Sequence, residues 1–223
     1  DKPLVLYGEG GCGKTSMLSK SAALTMDNWF KDVRPINIIR FLGTTPDSSA
    51  LTPTLVSICQ QISYNFMIPF DTIPDDLVPL TAHFKQLLTY ATKNQPLFFY
   101  LDSVDQLTGT QDSSISWLPT RLPANCKIIV SCANEEANPE VSQEYHLLRR
   151  MIDSPQNFIE ISALGDELAM NVIKMWMETA CRDLNNFQWR LVSNALSKCS
   201  LPIFVKLVFA EICRWRSFTK PQD

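Results

Sequence analysis

Four of the seven glycines in this chain of 223 residues fall in one short stretch, "LYGEGGCGKTS", at Gly8, Gly10, Gly11 and Gly13. Glycine reaches backbone conformations closed to other residues, so successive N–H groups in such a run can converge on one anion. From Gly8 to Thr15 the stretch fits G-x-x-x-x-G-K-[ST] at every fixed position. A chain this long matches that pattern by chance on the order of one time in a hundred. The run "PLVLYG" at 3–8 suits a buried strand, and a helical pattern over 14–26 follows the loop. A strand that turns through glycines into a helix brings the positive end of the helix dipole to the same point. Lys14 then reaches the β- and γ-phosphates of a nucleotide, and the Thr15 hydroxyl ligates Mg²⁺. The candidate phosphate-binding residues are Gly8, Gly10, Gly11, Cys12, Gly13, Lys14, Thr15 and Ser16.

Further apolar runs at 36–42, 97–102, 127–132 and 158–162 read as strands, separated by helical patterns. Alternation of this kind implies a parallel α/β sheet. Pro53 opens one helix in its first turn, with Leu55, Ile58, Cys59 and Ile62 on one face. Another helix covers 80–93, with Phe84, Leu87, Leu88 and Ala91 inward, and "MIPFDTIPDDLVP" before it reads as turn. "GTTPDSS" reads as loop. After residue 163 only helical spacing remains, over 166–183, 186–199 and 203–216, the first carrying Leu168, Val172, Met175, Trp176 and Thr179. The expected fold is α/β, a P-loop NTPase with a five-stranded parallel sheet in 1–163 and a small helical lid in 164–223. If 97–102 is not the neighbour of the first strand, 127–132 inserts between them, which marks the ATPase branch with an additional central strand.

The strand "LFFYLD" delivers Asp102 to the carboxyl end of the sheet, where ligands of open α/β sheets bind. An acid that closes a fully apolar strand is costly unless something pairs with it, so Asp102 is the natural Mg²⁺-side carboxylate, directly or through water. Asp105 has two readings, a residue that orients or activates the attacking water and a cap for a helix starting near Gln106. The candidate catalytic residues are Lys14, Asp102 and Asp105; the metal is expected at Thr15 and Asp102. No N-K-x-D or T-K-x-D guanine-reading motif occurs, which favours adenine.

A formal net charge of −3 is not the footprint of a nucleic-acid binder. No apolar run reaches the ~18 residues of a membrane span. The seven cysteines, Cys12, Cys59, Cys126, Cys132, Cys181, Cys199 and Cys213, include no C-x-x-C pair and read as buried free thiols in a reducing, cytoplasmic setting. The chain begins in a strand without Met, as expected of a module cut from a larger protein.

"LVLYGEGGCGKTS", "INIIRFLGTTPDSSAL", "LFFYLDSVDQL", "WLPTRLPANCKIIVSC" and "CSLPIFVKL" occur in the order seen in NACHT-type NTPases of the STAND class, which the chain resembles over nearly its whole length. The "RFLGTTPDSS" and "SWLP" stretches look most like NACHT domains fused to WD40 repeats. The resemblance implies a module that binds ATP or ADP with Mg²⁺, opens on nucleotide exchange and then oligomerises. It places Gly13, Lys14 and Thr15 on phosphates and metal and Asp102 beside the metal with Asp105 as its partner. It also makes Ser131 a γ-phosphate sensor and Pro202 the residue that packs on the base. Three positions depart from the pattern: Ser200 replaces the glycine of G-x-P, Ser103 stands where glycine is usual, and no Arg follows "KIIVSC".

The leading expectation is therefore a signalling switch with slow or weak hydrolysis, whose self-association and protein partners act through regions outside this chain, such as WD40 repeats. A turnover ATPase or phosphotransferase and a nucleotide-free scaffold are the alternatives. Arg149 and Arg150 stand where an arginine finger acts, but read better as a solvated helix face. His83 and His146 read as structural, and Cys12 as a tolerated spacer. Met170, Met175, Trp176 and Met177 read as core or subdomain interface, and Trp215 and Phe218 as packing on a further domain.

Overall fold

Strand β1 (Leu4–Gly8) is short and apolar and runs straight into the glycine loop; helix α1 (Lys14–Leu24) follows at once. The computed structural model describes residues 1–30, 32–108, 115–135, 140 and 142–219. Strands β2 (Ile36–Phe41), β3 (Leu97–Asp102), β4 (Cys126–Ala133) and β5 (Phe158–Glu160) complete one parallel sheet in the order β2-β3-β4-β1-β5. The additional central strand is present, because β4 lies between β3 and β1, pairing Leu101 with Val130 and Leu6 with Ser131. All six residues of β3 are buried, as befits a central strand with both faces covered.

The chain divides into two compact units, one of Asp1–Gly8 with Lys14–Glu160, the other of Glu9–Gly13 with Ile161–Asp223. In the first, α2 (Pro46–Ser49) is a single turn that Thr45 and Ser48 close with a reciprocal capping box, inside the stretch expected to be loop. Helix α3 (Leu51–Phe66) buries Leu55, Ile58, Cys59 and Ile62, the face its spacing predicts, with Pro53 in the first turn where an amide hydrogen is not needed. Helix α4 (Leu77–Leu87) starts three residues earlier than expected, because Pro79 falls in its first turn and is tolerated there. Phe84 of α4 meets Phe99 of β3 edge-on, ring centroids 5.8 Å apart. On α1, Leu18 and Ala22 are buried, and at its end the Thr25 hydroxyl hydrogen-bonds Tyr100. Helix α5 (Gln143–Met151) precedes β5.

The second unit holds α6 (Asp166–Thr179), α7 (Asn186–Lys198) and α8 (Pro202–Ile212). Its core is Ala169, Ile173, Met177, Leu184, Val192, Leu196, Val205 and Ile212. On α6 the inward row is thus Ala169–Ile173–Met177, while Leu168 and Met175 of the expected face are exposed. The apolar stripe of α6 is wide enough to fit either row, and the small Ala169 allows the closer approach. Trp176 and Trp215 are half-buried against this core, whereas Phe218 is exposed.

Candidate functional site

The carboxyl ends of β1, β3 and β4 lie side by side, so three side chains from distant parts of the sequence converge. Thr15, the second residue of α1, donates from Oγ1 to Asp102 Oδ2 at 2.7 Å. Ser131 on β4 donates from Oγ to Asp102 Oδ1 at 2.5 Å. The same Ser131 oxygen accepts the Ser103 N–H at 2.8 Å. Asp102 is 5% exposed, and each carboxylate oxygen is held by a hydroxyl. Hydroxyl donors satisfy hydrogen bonding without bringing positive charge of their own, so a carboxylate held this way suits a cation.

Lys14, Thr15 and Ser16 are the first residues of α1, so their N–H groups lack carbonyl partners within the helix. Lys14 Nζ folds back to donate to the Gly8 carbonyl at 2.8 Å, at the end of β1. The donor chemistry fits Mg²⁺: a hydroxyl and a carboxylate supply hard oxygens, and phosphates and water supply the rest. Among the described residues no group of three or more His, Cys, Asp or Glu side chains could hold a metal alone. That suits an ion that arrives with its nucleotide.

Asp105 belongs neither to a cap nor to an open face. It lies inside one turn of 3₁₀ helix, Val104–Gln106, that begins after Ser103 and ends where a longer helix was expected. Its Oδ1 accepts the Ala133 N–H at 3.2 Å and its Oδ2 accepts Gln106 Nε2 at 2.8 Å. The carboxylate thereby ties the end of β4 to the turn after β3. That turn also supports the loop after β2: Leu42 N donates to Asp102 O, and Thr108 N donates to Ser49 O at 2.7 Å.

Ser131 is buried, with its hydroxyl committed to Asp102 and Ser103, so its contact is with the carboxylate rather than with open space above the strand. Its neighbour Cys132 has a thiol pushed up to about 12, mainly by burial. Arg149 and Arg150 are both exposed on α5, the solvated helix face their spacing suggests, and Arg149 also lies over the Phe158 ring, 4.6 Å from its centroid.

Within the second unit the middle of the loop meets the start of α8. The Ile203 N–H donates to the Gly11 carbonyl at 3.3 Å. A Cβ on Gly11, where φ is +83°, would stand 2.4 Å from Ile203 Cγ2. Pro202, the first residue of α8, lies 3.8 Å from the position of a Cβ on Gly13. Cys12 is buried. Ser200, standing where the resemblance has glycine, accepts the Gly165 N–H on its hydroxyl at 3.1 Å and the Leu164 N–H on its carbonyl. Its side chain secures the entry to α6.

Sequence reasoning noted Ser103 only as a departure from the family pattern and gave Ile203 and Gln106 no role. Ser103 carried a signal, its place directly after a strand-ending acid; Ile203 and Gln106 carried none.

No family model matches the chain. NACHT and WD repeat domain-containing protein 2 of Homo sapiens is 33% identical over 220 residues, covering 96% of this chain and 12% of that protein. NACHT domain- and WD repeat-containing protein 1 of Homo sapiens is 28% identical, covering 98% of this chain and 14% of that protein. The chain thus spans about one eighth of the length of the curated relatives it matches. Among solved structures, the Walker-type ATPase of Pyrococcus abyssi superposes with a TM-score of 0.55 at 14% identity, covering 95% of this chain and 63% of that one.

Proposed function

Because the chain belongs with the NACHT-type P-loop NTPases, most like the NACHT modules of proteins that also carry WD repeats, we propose that it is an ATP/ADP-binding switch that hydrolyses slowly. The observation that carries the reading is the Thr15–Asp102–Ser131 group placed beside a glycine loop and a helix N-terminus. In it the backbone of Gly8, Gly10, Gly11, Cys12 and Gly13 wraps the phosphates, and the first-turn N–H groups of α1, at Lys14, Thr15 and Ser16, point at them. Lys14 supplies a mobile positive charge by giving up its grip on the Gly8 carbonyl. Mg²⁺, bound with the nucleotide, would neutralise phosphate charge beside Thr15 and Asp102. Pro202 is assigned to the base.

The framework role of Asp105 favours slow hydrolysis. A general base must reach the water it activates. Here each carboxylate oxygen of Asp105 already accepts one hydrogen bond from the protein's own frame, which fixes its orientation and leaves one lone pair per oxygen for a water. The switch reading expects phosphate release slower than about one per second, near the low end of ordinary enzymes. Faster steady-state release would favour the turnover enzyme. The decisive binding test is calorimetry with ATP and ADP on Lys14→Ala. The expected loss is at least ~100-fold in affinity, about 2.7 kcal/mol. Equal affinity in the variant and the parent rejects the proposal, and absence of any binding in the parent returns the chain to the scaffold reading. Partners reached through regions outside this chain, self-association on nucleotide exchange and a cytoplasmic location belong to the same proposal. The acidic balance of the chain argues against nucleic acid among those partners. Among the described residues no helix is long and apolar enough to cross a membrane.

A further inference from the structure

We propose that Ser131 is a positioning residue that sets the orientation of Asp102 toward the metal ion, rather than a residue that touches phosphate. The inference rests on the reading that the loop takes a Mg²⁺-nucleotide.

Strand pairing explains why the hydroxyl is there. The parallel ladder between β3 and β4 ends with Leu101 against Val130. One residue on, Ser103 turns into the left-handed region, φ 58° and ψ 54°. The N–H that follows Asp102 therefore leaves the ladder and needs another acceptor. Ser131 Oγ supplies it, and its own proton is then directed at Asp102 Oδ1. Thr15 does the same for Oδ2 from the other side. A carboxylate gripped at both oxygens cannot rotate about its terminal torsion, which is otherwise broad. Each oxygen keeps a further lone pair that a cation can take, with Oδ2 beside the Thr15 hydroxyl. The second grip comes from a fully buried serine on a central strand, so it does not depend on nucleotide being present.

A phosphate sensor and a carboxylate positioner make opposite demands on binding. Losing a sensor weakens the nucleotide with or without metal. Losing a positioner weakens only what the metal contributes, by 10- to 100-fold in metal affinity for comparable outer groups. The experiment titrates ADP and a non-hydrolysable ATP analogue, which carries the γ-phosphate, by calorimetry into the parent and Ser131→Ala, first in EDTA and then at graded Mg²⁺. The expected result is a metal-free Kd unchanged within about twofold and a Mg²⁺ midpoint raised about tenfold. Ser131→Cys, close in shape but a weak donor, is expected to fall between them and serves if the alanine variant does not fold. A Mg²⁺ midpoint equal to the parent's in the folded variant overturns the positioning role. An equal loss of affinity for the ATP analogue with and without metal, ADP unaffected or not, overturns it in favour of direct phosphate contact. A parent that binds no ADP at all is a different failure, that of the nucleotide reading itself.

Discussion

Ser103 holds a left-handed conformation without being glycine, at the bend that presents Asp102. Such a conformation costs an L-residue about 1–2 kcal/mol. Ser103→Gly keeps the N–H that Ser131 accepts and removes the strain, so chemical denaturation is expected to show a gain of ~0.5–1 kcal/mol. Gly11→Ala goes the other way. It meets both an unfavourable φ and Ile203 Cγ2, and the expected loss is at least ~1–2 kcal/mol. Adding Ile203→Ala to that variant removes the collision and recovers only the steric part. His83 has a buried Nε2 without a hydrogen-bond partner, and burial lowers its pKa below 6.5. Its folded form resists protonation, so the unfolded chain binds more protons below pH 6.5 and stability falls as pH drops through that value toward the lowered one. Replacing it by Met, which does not titrate, is expected to shrink the difference in Tm between pH 7 and pH 5.5.

Strand β2 shows how an element can be guarded as well as formed. It stands at the edge of the sheet, where outward carbonyls invite another strand. Each outward carbonyl is taken by a side chain of this same chain. Asn37 O accepts Gln61 Nε2 at 3.2 Å, Ile39 O accepts Arg40 Nη1 at 2.8 Å, and Phe41 O accepts Thr44 Oγ1 at 2.9 Å. The Arg40 guanidinium is half-buried, and burial lowers its pKa. The double variant Arg40→Ala, Gln61→Ala is expected to aggregate faster on mild heating, read by light scattering, with a smaller change in Tm than in aggregation rate. At α7, Asn185 and Gln188 close a reciprocal cap, and Asn185→Ala is expected to cost about 1 kcal/mol. Elements of this kind were only partly legible beforehand. The strands and the buried face of α3 follow from apolar runs and from spacing, because burial selects residue type directly. The single turn α2 and the early start of α4 were hidden by prolines, which mark loops and first turns alike. Of the site, Lys14, Thr15 and Asp102 were readable from motif and strand end. The grip of Ser131 on Asp102 was not, since side-chain direction at the end of a ladder depends on a neighbouring strand some thirty residues away in sequence. The inward row of α6 was misjudged for a related reason, that two stripes fit one helix until its partners are known.

At the scale of the whole molecule the thiols report on burial. Cys59, Cys126 and Cys132 lie inside the sheet unit with thiols pushed up to about 12, so almost none is thiolate at pH 8. Cys181 is exposed, unlike the buried thiols the sequence suggests, and Cys199 and Cys213 are half-buried. Alkylation of the native chain followed by peptide mass spectrometry is expected to mark Cys181 first and to reach Cys59, Cys126 and Cys132 only on unfolding. Sheet order has a consequence for how the chain comes off the ribosome. The first strand made, β1, has β4 and β5 as its neighbours, and its pairing of Leu4 with Ile129 joins residues 125 positions apart. Such long-range pairing forms late. A nascent chain therefore carries its glycine loop as idle peptide while β2 and β3 assemble beside each other. A nucleotide bound as proposed would have no site to stabilise until residue 126 and beyond have emerged, so it would act as a clasp on the finished sheet and not as a seed for it.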